Sequence, residues 1–161
     1  MHPITEQDQH WMQHALELAK KAENQGEVPV GAILVLDDKV IGEGWNQPIS
    51  THNPVAHAEV IALQDAASKI ENYRLPDTTL YVTLEPCTMC VGAIVHSRVK
   101  RLVFGAYDLK TGAVCSQLEL LSAGFYNHQV AFTGGVLQEE CAAILSNFFS
   151  ELRSSRKRIK K

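Results

Sequence analysis

From residue 79 onward the chain alternates between β-rich and helical runs. "TTLYVTLE", "RLVFGAY" and "QVAFTGG" read as strands, and helices are predicted after them over about 87–96, near 116–122 and from about 138. Strands separated by helices pair by right-handed crossovers, which lay the strands parallel and the helices on the sheet faces. Ahead of this block, "VPVGAILVLDDKVIGEGWN" reads as two strands around Asp37-Asp38-Lys39, an antiparallel hairpin that makes the sheet mixed. "ITEQDQHWMQHALELAKKAENQG" reads as an opening helix. Thr5 caps it with Asp8 three residues on, and Gly26 ends it. Trp11, Ala15, Leu18, Ala19 and Ala22 give it one apolar face. Another helix is predicted over about 56–70. The fold class expected is α/β: three α/β/α layers around a mixed five-stranded sheet.

A chain of 161 residues, 45% hydrophobic, fits one domain with a sizeable core. Residues 1–152 are expected to form it. Residues 153–161, "RSSRKRIKK", form a basic tail with Arg153, Arg156, Lys157, Arg158, Lys160 and Lys161 and no acid. The other 152 residues hold nine basic against eighteen acidic side chains. Such a tail suits a polyanionic partner, or serves only to solubilise the chain end. "MHPITEQDQH" has no apolar run of the kind a secretory signal needs, and no stretch is long enough to span a membrane. The four cysteines, Cys87, Cys90, Cys115 and Cys141, do not form a dense disulfide framework. A cytoplasmic protein with reduced thiols is expected.

"AHAEVIALQDAA" and "TLEPCTMC" carry the chemistry. Cys87 and Cys90 are three apart at a predicted helix start, where the positive end of the helix favours thiolates. Alone, C-x-x-C is a redox pair, half of a structural zinc site, or part of a catalytic one. A structural zinc needs four protein ligands, and no second pair is offered. Cys115 and Cys141 are isolated, as buried structural cysteines usually are. His57 is the expected third ligand, and three ligands leave the open position of a catalytic metal. His52 and His96 are the only other histidines considered for a displaced fourth position. Two residues on a helix are about 200° apart, so His57 and Glu59 are expected to point different ways. Glu59 would then sit beside the metal, off it, as a proton carrier.

H-A-E followed by P-C-x-x-C resembles the zinc-dependent nucleoside and nucleobase deaminases. "EVPVGA", "GEGWN", "NPVAHAEVIAL", "NYRL", "TLYVTLEPCTMCVGAIVHSR", "VFGAYDLKTGA" and "NFF" extend the resemblance to the bacterial tRNA-specific adenosine deaminases over nearly the whole chain. The resemblance implies hydrolysis of the wobble adenosine of a tRNA anticodon to inosine, in an arginine tRNA, by a homodimer. One Zn2+ per subunit would be held by His57, Cys87 and Cys90 and would activate water, with Glu59 shuttling protons. Asn46 and Pro86 would meet the base, the latter through its carbonyl, and Val28 and Pro29 would wall the pocket. Asn46 could instead simply end its strand, and Val28 and Pro29 could be ordinary strand-edge residues. Asp108 would read a ribose 2′-OH or merely form a turn, and Lys110 is the better phosphate contact. One of Phe148 and Phe149 is expected in the core; Phe149 and Arg153 resemble the family's RNA-contacting end. Two other readings stay open: a deaminase of free cytosine, cytidine or guanine, and a non-catalytic RNA-binding subunit stabilised by zinc. Intact Glu59 speaks against the second, because a purely structural site has no use for that carboxylate.

Overall fold

The computed structural model describes residues 3–160, with side chains described through residue 156. The elements run α1 (Glu6–Asn24), β1 (Gly31–Leu36), β2 (Lys39–Trp45), α2 (Pro48–Thr51), α3 (Ala58–Ile70), β3 (Thr79–Leu84), α4 (Thr88–His96), β4 (Arg101–Ala106), a 3-10 turn (Leu120–Ser122), β5 (Ala131–Thr133) and α5 (Gln138–Lys160). The sheet order is β2-β1-β3-β4-β5. β1 is antiparallel to both β2 and β3, whereas β3, β4 and β5 run parallel. The expected mixed sheet therefore forms, with its parallel half where the strand–helix alternation begins.

Each layer follows from local residue choices. Thr5 accepts from the Asp8 N–H and Asp8 reaches back to the Thr5 N–H, a reciprocal cap that starts α1. Met12, Ala15, Leu16, Leu18, Ala19 and Ala22 bury its inner face, with Trp11 only half-buried at the edge. Asp37 and Asp38 both take positive φ, 50° and 60°, as a two-residue hairpin with the right strand twist requires. One face of the sheet packs Ile33, Val35, Tyr81 and Val103 against α1, Val136 and Cys141. The other packs Ala32, Leu34, Leu80, Val82, Leu102 and Phe104 against Ala58, Ala62 and Ala66 of α3 and Val91, Ile94 and Val95 of α4. These are the three expected layers.

Three local expectations change. The helix near 116–122 is reduced to the 3-10 turn, because the Val114, Cys115 and Ser116 N–H groups donate to the Glu85 carboxylate instead of entering a helical ladder. The short α2 is new, and its first turn is held by Glu27, whose carboxylate accepts from Ile49 N and Ser50 N. Neither Phe148 nor Phe149 is in the core: Phe148 is half-buried and Phe149 is 40% exposed. α5 continues without a break from the packed region into residues 153–160, so the basic segment prolongs a helix. The Lys157, Arg158, Lys160 and Lys161 side chains lie outside the described residues.

Candidate active site

Two helix starts meet at the carboxyl end of the parallel strands. His57 is the N-cap of α3 (φ −73°, ψ 152°) and Cys87 the N-cap of α4 (φ −80°, ψ 178°). Both residues have extended backbone and stand just outside their helices. The helical 200° separation of His57 and Glu59 therefore does not apply, and the expectation that they point apart is corrected: both line one cavity. Glu59 still stands outside the group that could hold a metal, which among the described residues is His57, Cys87 and Cys90. His52 and His96 are not in that group either.

His57 Nδ1 lies 3.7 Å from Cys87 Sγ and 3.5 Å from Cys90 Sγ. A tetrahedral zinc with ordinary Zn–N and Zn–S bonds would separate such atoms by about 3.6 Å, so the donor set fits. The three donor groups are electrostatically coupled. The Cys90 thiol donates to Cys87 and pulls the Cys87 pKa down to about 4, with His57 helping against burial. Cys90 is pushed up by that same hydrogen bond, by burial and by the charge of Glu59. His57 is raised, first by its bond to Cys87 and then by the charge of Glu59, against burial. Replacing the shared proton with a divalent cation would relieve all three.

Glu59 is 4% exposed, and burial lifts its pKa to about 6, against the charge of His57. A buried carboxyl that holds its proton more tightly than usual suits general acid and base work.

The cavity encloses about 230 Å³, and Val28, Asn46, Pro48, Asp108 and Thr111 are among the residues around it. That is smaller than the roughly 300–1,000 Å³ of a pocket for a drug-sized ligand. Asn46 does not bond its own turn: its side-chain oxygen accepts from Ala58 N at 2.9 Å, leaving the amide N–H₂ as a donor. Asp108 does form a turn, accepting from Lys110 N, Thr111 N and the Thr111 hydroxyl. Pro86 is buried, and its carbonyl accepts from Ala113 N at 2.9 Å, which uses one of two lone pairs. Pro29 is buried as well.

Two grooves flank the cavity. Lys110 and Phe149 line one with Tyr107 and Leu109. Phe149 also lines the second, with Phe148, Ile49, Leu152 and Arg156. Arg153 is exposed and lines neither. Sequence reasoning missed Glu27 and Glu85 as residues that shape the site. The available signal was a carboxylate at the end of an apolar run where a strand should stay buried.

Residues 6–153 match the family described as MafB19-like deaminase. The chain is 56% identical over 154 residues to the tRNA-specific adenosine deaminase of Haemophilus influenzae, covering 95% of this chain and 89% of the relative. A solved structure from work on A-to-I editing by tRNA:A34 deaminases at the wobble position superposes with a TM-score of 0.82 at 42% identity, over 84% of this chain and 99% of that one. A guanine deaminase from Nitrosomonas europaea superposes at 0.74 with 25% identity, over 87% of this chain and 83% of that one. The chain belongs to the deaminase family and, within it, to the tRNA-specific adenosine deaminases.

Proposed function

We propose that this protein hydrolyses the wobble adenosine of a tRNA anticodon to inosine and ammonia, with one zinc ion on His57, Cys87 and Cys90. Its tRNA is an arginine tRNA carrying adenine at that position, the working form is a homodimer, and the setting is the cytoplasm. The observation that carries the reading is Glu59: a buried carboxyl in the same cavity as the His57–Cys87–Cys90 group yet outside it. Zinc, when bound, supplies a Lewis acid that makes water a nucleophile near neutral pH.

The chain's own residues do the rest. Glu59 accepts a proton from the attacking water, returns it to the purine ring as the C6–O bond forms, and carries the proton of the new C6 hydroxyl to the amine as the C6–N bond breaks and the carbonyl forms. Atoms balance as adenosine plus water giving inosine plus ammonia. Asn46 donates to the base edge from its free amide N–H₂, and Pro86 accepts from the substrate amine with its remaining lone pair. Val28 packs on the ring, and Asp108 accepts from a 2′-OH. Lys110, Phe149 and Arg153 meet the flanking RNA, the aromatic ring by stacking on an unpaired base. An anticodon loop presents unpaired bases already, which lowers the cost of extracting one.

The test is a comparison of substrates. An RNA hairpin with an adenosine in its loop should release ammonia and gain inosine, while free guanine, cytosine and cytidine should not turn over. Turnover of a free base with none on the hairpin would favour the small-molecule reading that the guanine deaminase likeness keeps in view.

A further inference from the structure

The loop from Asp108 to Ser116 has no strand or helix of its own, yet it gives Asp108 and Thr111 to the cavity. Its backbone is held from beneath by one side chain. Glu85 is 2% exposed and closes β3 two residues before Cys87. One carboxylate oxygen accepts from Asp108 N at 3.1 Å and from the Ser116 hydroxyl. The other accepts from three successive amides, Val114 N at 3.1 Å, Cys115 N at 2.8 Å and Ser116 N at 3.0 Å. A carboxylate offers about four lone-pair sites, so five donors leave none for a substrate or a proton in transit. The fit is close enough to specify a neighbour: a Cβ on Gly112 would stand 2.4 Å from the Glu85 carboxyl carbon.

We infer that Glu85 is a positioning residue of the reaction: its carboxylate clamps the 108–116 loop to the turn that carries Cys87, and so fixes how the substrate seats over Glu59. This assignment rests on the deaminase reading above. It gives two of the cavity carboxylates, Glu59 and Glu85, opposite tasks. Glu59 faces the group that could hold a metal, whereas Glu85 spends its acceptor capacity on four loop amides and the Ser116 hydroxyl.

Glu85→Gln separates the tasks. The amide keeps one oxygen for the three successive N–H groups but turns N–H₂ towards Asp108 N–H, leaving that donor unpaired at the cavity end of the loop. On the RNA hairpin, KM should rise about tenfold, the size of one buried hydrogen bond exchanged for an unsatisfied donor. kcat should stay within about twofold, as for loss of uniform binding. Metal content should not change. Backbone amides of residues 108–116 should exchange with deuterium faster, while those of α3 should not. Ser116→Ala removes a single donor from the same carboxylate and should shift KM and exchange the same way by less. A fall in kcat at constant KM would put Glu85 in the chemistry, and loss of metal would make it a support for Cys87; either overturns the clamp. Unchanged KM and unchanged exchange would overturn it too. If the wild-type enzyme left the hairpin untouched, the RNA reading would fall, and the exchange arm would still decide whether Glu85 holds the loop.

Discussion

Asp108 shows how one side chain serves fold and recognition together. Its two oxygens accept from Lys110 N, Thr111 N and the Thr111 hydroxyl, so the turn alone accounts for an Asp here. The same residue lines the cavity, where its charge would repel phosphate. Asp108→Asn keeps the oxygen that bonds both amides, and Thr111 can reverse its hydroxyl, so the loop should hold. The lost charge should relax discrimination against DNA. Matched RNA and DNA hairpins with the same target adenine measure this. The variant should raise the DNA-to-RNA turnover ratio, and an unchanged ratio would leave Asp108 a turn residue alone. The three side chains that could hold a metal were legible from spacing because metal chemistry restricts residue type. A helical wheel cannot set Glu59 against His57, because His57 is an N-cap residue outside the helical φ and ψ.

At the scale of elements, Asp8 ties α1 to the sheet. Beyond capping Thr5, it pairs with Arg101 of β4 through two bonds of 2.8 and 2.9 Å and accepts from the Tyr81 hydroxyl of β3 at 2.9 Å. Burial pushes the Asp8 pKa up, but Arg101, the Thr5 N–H and Tyr81 together hold it below the ordinary carboxylate range. Burial likewise raises Glu85 and Glu27, and their backbone and serine donors likewise bring both below the ordinary value. A folded pKa below the unfolded one gives stability that is present above the unfolded value near 4 and is lost as pH falls through the folded one. Stability should therefore drop below about pH 4, with Asp8→Asn showing a shallower fall over that window in denaturant titrations. Asp8→Ala should cost about 3 kcal/mol at neutral pH, the low end for breaking a buried pair, because Arg101 keeps some solvent. The capping role was readable from Thr5 and its third neighbour. The pairing was not, since Arg101 is 93 residues away and only the closed sheet brings it near. The same limit hid the Glu85 loop, where "KTGAVCSQ" reads as a route into a helix until a distant carboxylate takes its amides.

Over the whole molecule, charge is divided between an acidic body and one basic helix end. α5 carries that end as a continuous helix to Lys160, and Arg156 reaches the groove lined by Phe148 and Phe149. Deleting residues 154–161 removes five basic residues and spares Arg153. Each neutralised phosphate contributes roughly 0.7 to 0.9 to the slope of log affinity against log salt. If three of the five meet phosphate, the slope for full-length tRNA should fall by about 2 to 3, with saturated turnover little changed. Equal affinity and slope in the truncated chain would make this end a solubilising one. The proposed reaction needs a metal held by His57, Cys87 and Cys90 together with a carboxylate that does not bind it. Glu59→Gln tests this most directly, with zinc per chain and inosine formation in an RNA hairpin measured on the same preparation. One zinc per folded chain and no detectable inosine are expected. Loss of zinc would make Glu59 a ligand, and inosine formed at the wild-type rate would remove it from the proton path; either would overturn its role.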